Sequence, residues 1–216
     1  MTKIYLISPP EIELKEFSKR LENTLKTGLI PTFQLRIKNY PASEIITIAK
    51  ELKKICHDYN CLFILNDFYD LAREINADGV HLGANDGKIK TAKENIKKRT
   101  DDLSKRFIIG ASCYDSRDLA MTAGEQGADY LSFGTFFTSK TKNSKGKPTT
   151  EILKWCNQLI NLPIVAIGGI NDQNCQPLVA AGADFIAVIS YVWQNEISEA
   201  EAVKRLNIAI EKSIKK

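Results

Sequence analysis

Eight short apolar runs, separated by longer segments of helical pattern, limit the fold of this chain more than any other feature. The runs are residues 4–8, 32–37, 62–67, 79–83, 107–112, 130–136, 164–169 and 185–190. Several are continuously apolar rather than alternating, the pattern of strands buried on both faces. Between them, segments such as 11–26, 42–58, 68–76, 116–126 and 198–212 read as helices. In the first, Leu14, Phe17, Leu21 and Leu25 recur every three or four residues and mark one apolar face. Asp115 or Ser116 can cap the helix that leads to Gly127. Eight strand–helix units in 216 residues suit an α/β protein, a closed (β/α)8 TIM barrel in one domain over residues 1–216. An open, doubly wound sheet is the architectural competitor. The barrel is favoured because polar residues recur at the ends of many successive strands, not at one switch point.

The phrases Asn76-Ala77-Asp78-Gly79, Gln126-Gly127-Ala128-Asp129 and Ala181-Gly182-Ala183-Asp184 form a weak internal repeat. Each closes a helix and opens a strand, with glycine suited to the helix end and alanine to close packing.

Composition narrows the class of partner. The net charge of +4 is compatible with anionic ligands but lacks the concentrated basic patch of a nucleic-acid binder. No apolar run approaches the ~20 residues that cross a bilayer. The N-terminal apolar stretch is too short for a signal peptide and reads as a first strand. Five cysteines, an odd number with no C-x-x-C pair, argue against disulfides and a zinc site. A cytoplasmic protein acting on small molecules, with no nucleic acid and no membrane, is the expectation.

The candidate chemistry lies at strand ends, where barrel enzymes work. Gln34, Arg36 and Lys38 alternate, so one strand face carries all three. If that face is the lumen, they converge near its mouth and need an anion with hydrogen-bonding groups. The opposite register would instead line the lumen with Phe33, Leu35 and Ile37. Asp67 follows an apolar strand, and Asp86 follows the next one. Asp67 can be a helix N-cap, or the two carboxylates can share a cation; Mg²⁺ is held this way with substrate phosphate. Gly168-Gly169-Ile170 and Val188-Ile189-Ser190 follow strands seven and eight, a frequent phosphate site in barrels. The polar segment 139–150, with its lysines and hydroxyls, reads as a mobile loop that can close over a polyanion. His81 is either a pocket donor or a satisfied barrel histidine, and His57 beside Cys56 an ordinary helix residue.

Taken together, these stretches resemble the thiamine-phosphate synthase family over almost the whole chain. The resemblance rests on Gln34-Leu35-Arg36-Ile37-Lys38, Asn66-Asp67, Ala77-Asp78-Gly79-Val80-His81-Leu82-Gly83 with Asp86, and Ile109-Gly110-Ala111-Ser112. It continues through Gly127-Ala128-Asp129-Tyr130, Thr141-Lys142, Ala166-Ile167-Gly168-Gly169-Ile170, Ala181-Gly182-Ala183-Asp184 and Val188-Ile189-Ser190. It implies a Mg²⁺-dependent transferase joining a pyrimidine pyrophosphate to a thiazole phosphate, with pyrophosphate leaving before the thiazole nitrogen attacks. By position, Gln34 and Arg36 would meet the aminopyrimidine, while Lys38, Asn66 and Lys142 would bind pyrophosphate. Arg36, Lys38 and Lys142 would be the catalytic cations. Asp67 and Asp86 would hold Mg²⁺. Ser112 would lie by the pyrimidine and its leaving group, and Ser139, Thr141, Gly169, Ile189 and Ser190 would surround the thiazole phosphate. A homodimer is also implied. The family often has Gln where this chain has Ala84 and Pro-Thr where it has Thr138-Ser139, and residues 88–106 form a longer, charged segment. A thiazole tautomerase on the same barrel, or a non-catalytic phosphate-binding barrel, are the alternatives. Neither needs both the carboxylate pair and the Gln-x-Arg-x-Lys strand.

Overall fold

The computed structural model describes residues 1–83, 88–98, 106–137 and 148–214. Its strands are β1 (Lys3–Ile7), β2 (Thr32–Leu35), β3 (Leu62–Asn66), β4 (Gly79–Gly83), β5 (Ile108–Tyr114), β6 (Tyr130–Gly134), β7 (Ile164–Ile167) and β8 (Phe185–Val188). Every neighbouring pair is parallel, and β8 closes on β1, so the sheet is a barrel rather than an open doubly wound sheet. The helices are α1 (Leu14–Leu25), α2 (Ala42–Asp58), α3 (Tyr69–Glu74), α4 (Lys88–Lys98), α5 (Arg117–Glu125), α6 (Thr150–Leu159), α7 (Gln176–Ala180), α8 (Ser190–Trp193) and α9 (Glu199–Ile214). The long charged segment thus contributes α4, while residues 99–105 lie outside the described residues. No described helix is long and apolar enough to cross a membrane.

The period-two alternation of each strand separates two cores. Outward side chains such as Leu6, Phe33, Leu35, Phe63, Leu65, Leu82, Ile109 and Phe133 pack against the helices. There they meet Phe17, Leu21 and Leu25 of α1, three of the four residues that marked its apolar face, while Leu14 is half-buried. Each such side chain removed from water stabilises the fold by about 1.5–3 kcal/mol. Inward side chains form a smaller cluster of Tyr5, Ile7, Tyr130, Val165 and Ala187 in the lumen. All five cysteines are free and buried.

The internal repeat clamps the opposite, N-terminal end of the barrel. Asp78, Asp129 and Asp184 each accept from the backbone N–H of the strand preceding their own: Phe63 at 2.7 Å, Ile109 at 2.8 Å and Ile164 at 2.8 Å. The helices before them end on left-handed residues, Asn76 (φ 52°), Gly127 (φ 93°) and Gly182 (φ 96°). Such a C-terminal turn favours glycine and tolerates asparagine. Asp78 also takes the His57 ring at 2.8 Å, so His57 belongs to this clamp. Conserving geometry at this face serves stability, since barrel chemistry sits at the other end.

Ser116 is the residue that caps α5, accepting from Leu119 N–H at 3.2 Å. A register shift between Ser112 and Tyr114 bulges β5 at its C-terminal end. Bulges at such positions re-aim side chains near functional sites.

Candidate active site

The register decides which face of β2 looks inward. Ile7 pairs with Gln34, Gln34 with Ile64, and Asn66 with His81, so these form one inward band. Phe33, Leu35 and Ile37 pack outward among the helices, which excludes the opposite register. Beyond β2 the pairing with the β1 side continues: Arg36 N–H donates to Ser8 Oγ at 2.8 Å and Lys38 N–H to Pro10 O at 3.1 Å. Gln34 is therefore a buried amide in the lumen, Arg36 a half-buried guanidinium near His81, and Lys38 an exposed residue beyond the end of β2.

Five of the eight buried polar or charged residues among the described residues occupy inward positions: Thr32, Gln34, Asn66, His81 and Ser132. Burying such groups is costly unless they are partnered. Gln34 Nε2 donates to Asn66 Oδ1 at 3.1 Å, and Asn66 Nδ2 donates to Asp67 Oδ2 at 2.6 Å. This chain of amides carries the polarity of the lumen to an exposed carboxylate. Asp67 has φ 66°, a left-handed backbone that asparagine and aspartate tolerate best, and its N–H donates to His81 O at 2.9 Å. Asp67 does not cap α3, whose N-cap is Phe68 and carries no side-chain cap bond.

His81 sits between two hydroxyls. Its Nδ1 lies 2.8 Å from Tyr130 Oη and its Nε2 lies 2.8 Å from Ser112 Oγ. Tyr130 Oη in turn lies 2.8 Å from Tyr5 Oη. Burial and the neighbouring Arg36 guanidinium push the His81 imidazole down to about 4. The ring is therefore neutral at ordinary pH. Burial, above all, raises the phenols of Tyr5 and Tyr130 and keeps them protonated. Of the two readings open for His81, the ring fits the satisfied barrel histidine: both of its nitrogens have a hydroxyl partner.

Gly168 (φ 109°) and Gly169 (φ 64°) end β7 in the left-handed region, which only glycine adopts freely. A Cβ on Gly168 would also collide with Thr135. The pairing of Ile167 with Ala187 brings the residues beyond, Gly169 with Ile189 and Ser190, to neighbouring strand ends. Of the residues singled out in the sequence, Gln34, Arg36, Lys38, Asn66, Asp67, Ser112, Gly169, Ile189 and Ser190 all lie at this C-terminal end of the barrel. Asp86, Ser139, Thr141 and Lys142 lie outside the described residues, as do Ala84, Thr138 and most of the proposed 139–150 loop. Tyr5 and Tyr130 were not singled out as site residues from the sequence. A hydroxylated aromatic inside an apolar strand is the signal they carry, but its meaning depends on which way each strand faces.

The arrangement offers amide donors and acceptors, a guanidinium, an ammonium, a hydroxyl and an exposed carboxylate around one opening. That set suits a polar heterocycle carrying an anion. Residues 4–192 match the family model described as thiamine monophosphate synthase. A thiamine-phosphate synthase of Erythrobacter litoralis is 44% identical over 200 residues, 90% of each chain. One of Rhodospirillum centenum is 39% identical, covering 95% of this chain and 96% of its own. The solved thiamine phosphate pyrophosphorylase of Pyrococcus furiosus superposes with a TM-score of 0.81 at 35% identity, over 98% of this chain and 96% of that one. On the family model, these relatives and the superposed barrel, this chain belongs to the thiamine monophosphate synthase family.

Proposed function

We propose that this chain is a thiamine-phosphate synthase, a transferase that joins 4-amino-2-methyl-5-hydroxymethylpyrimidine pyrophosphate to 4-methyl-5-(2-hydroxyethyl)thiazole phosphate, releasing pyrophosphate. The observation that carries the reading is inward Gln34, with Arg36 and Lys38 following it at the end of β2, joined through the Gln34–Asn66 bond to Asp67. A buried amide faces a heterocycle well, and two cations above it face a polyanion.

The aminopyrimidine binds against Gln34, with Arg36 above it orienting the pyrophosphate. Lys38 and Asn66, together with Lys142, hold pyrophosphate oxygens. Ser112 stands by the pyrimidine and its leaving group. The glycines after β7 and the start of α8, with Ser139 and Thr141, receive the thiazole phosphate: a glycine turn and a helix start at the C-terminal end of a barrel are places where backbone N–H groups take anions. Bond breaking comes first. The amino-substituted ring supports the cation, and the protein stabilises the departing charge with fixed donors and cations, which act more strongly out of water. Holding the cation beside the thiazole nitrogen replaces a bimolecular encounter with a positioned one. No covalent enzyme nucleophile is needed.

Asp67 is an exposed carboxylate whose Oδ2 is held by Asn66, a hard oxygen donor at the strand end, and this fits Mg²⁺. Asp67 and Asp86 would hold the ion, which when bound neutralises pyrophosphate charge and eases its departure. Incubating the pure protein with both substrates and Mg²⁺, and assaying thiamine phosphate and pyrophosphate, tests the whole reading. Isomerisation of a thiazole phosphate without pyrophosphate release would instead mark a tautomerase, and inert binding a non-catalytic barrel.

A further inference from the structure

Four side chains link the middle of the lumen to its mouth: Tyr5, Tyr130, His81 and Ser112, joined by three contacts of 2.8 Å each. Each link needs one proton. Two phenols, a neutral imidazole and a serine hydroxyl supply four. One proton is therefore left over, and its place fixes the direction of every link. It cannot rest on His81, because a ring nitrogen carrying its N–H cannot also accept. It must lie on Tyr5, Tyr130 or Ser112.

The surroundings decide among the three. Tyr5 and Tyr130 lie in a lumen cluster with Ile7, Val165 and Ala187, and are 3% and 7% exposed. Among the described residues their hydroxyls make no hydrogen bonds other than those of the chain. A buried donor without an acceptor is penalised. Ser112 is half-buried, on the bulged end of β5, where a ligand can accept a hydrogen bond from it.

We infer that the chain runs outward, Tyr5 to Tyr130 to His81 Nδ1 and His81 Nε2–H to Ser112 Oγ, so that Ser112 is held as a free hydrogen-bond donor for the bound pyrimidine pyrophosphate. Tyr5, Tyr130 and His81 act as positioning residues, and no proton is transferred. The ligand assignment rests on the transferase reading above. With one of its lone pairs taken by His81 N–H, the serine hydroxyl is polarised and its proton is turned away from the ring, toward an acceptor atom of the substrate, either a ring nitrogen or a leaving-group oxygen. Such preorganised donors act on the charge that develops during bond breaking. Both competing arrangements put the imidazole proton on Nδ1 and turn the Ser112 proton back toward the ring. The tautomer of one histidine therefore reports the direction of the whole chain.

The chain has two histidines, so long-range ¹H–¹⁵N spectra of the uniformly ¹⁵N-labelled protein at neutral pH, compared with His57→Gln, identify His81. The expected result is a protonated Nε2 and a bare Nδ1 in the free protein. A protonated Nδ1 overturns the inference. In Tyr130→Phe, which lacks the donor into Nδ1, the Nδ1–H form should appear and kcat should fall roughly tenfold, with KM for the thiazole phosphate little changed. Unchanged tautomer and kcat in that variant would also overturn it. The wild-type spectrum decides the direction even if Tyr130→Phe does not fold. The spectrum is read without substrate, so the two readings fail separately. Wild-type turnover with Nδ1 protonated sinks the relay alone, and Nε2 protonated without pyrophosphate release sinks the transferase reading while the polarity of Ser112 stands.

Discussion

Gln34 on β2 and Asn66 on the neighbouring strand β3 meet on the lumen wall in one amide–amide hydrogen bond of 3.1 Å, and both residues are buried. Asn66 Nδ2 donates in turn to Asp67 Oδ2, so the bond links a buried amide to the exposed carboxylate. Gln34→Ala leaves Asn66 Oδ1 without its donor. The variant should lose about 1–2 kcal/mol of stability in urea unfolding and more than tenfold in kcat/KM. In a double-mutant cycle with Asn66→Ala, the two losses should be non-additive. Strict additivity would mean the pair does not work as a unit.

Asp67 should set the Mg²⁺ requirement. Asp67→Asn keeps the side-chain shape and removes the charge, so the Mg²⁺ concentration for half-maximal rate should rise about tenfold or more. Circular dichroism should be unchanged. Full activity of a chelator-treated Asp67→Ala/Asp86→Ala protein would refute the metal site.

Lys38 stands exposed at the rim above Gln34 and Arg36. Removing it should weaken pyrophosphate capture without touching the glycine loops after β7 and β8. KM for the pyrimidine substrate should rise about tenfold in Lys38→Ala, with less than about twofold change for the thiazole phosphate. Separate titrations of the two substrates check this, and a selective loss of thiazole affinity would contradict the site as drawn.

Asp129 carries a pH signature at the other end of the barrel. Burial pushes its carboxyl up, but hydrogen bonds from Lys93 at 2.8 Å, Arg106 at 2.7 Å and Ile109 N–H at 2.8 Å outweigh it, and the net shift is downward. A carboxyl lowered on folding stabilises the protein fully above its unfolded value, about 3.9, and the contribution is lost as pH falls toward the folded value. Urea unfolding from neutral pH down to about 3 should show this decline. Asp129→Asn should be less stable at neutral pH and flatten that limb. An unchanged slope would mean that other carboxyls govern acid unfolding.

Gly110 lies inward on β5 under the ring of Tyr130, and a Cβ there would overlap that ring. Gly110→Ala should displace Tyr130 and cost about 1–3 kcal/mol. The thermal midpoint should drop by several degrees. A variant as stable as the parent would mean the ring has room to move.

Much of this fold is legible in the chain itself. Local pattern sets the eight strands, because continuous apolar runs and three-to-four spacing depend only on neighbours along the sequence. The Gln34, Arg36, Lys38 alternation likewise guarantees that one face carries all three. Which face looks inward does not follow from alternation, since shifting the register by one residue exchanges the two faces. Packing settled it: Phe33, Leu35 and Ile37 fill the layer under the helices, leaving the polar set for the lumen. The repeat around Asp78, Asp129 and Asp184 was visible as a pattern, but its clamp role needed the strand pairing that brings Phe63, Ile109 and Ile164 to those carboxylates. The hydroxyl chain was least legible of all. Tyr5 and Tyr130 stand 125 residues apart, and only closure of the barrel sets their hydroxyls 2.8 Å from each other. Contacts across a lumen depend on shear and closure, properties of all eight strands together.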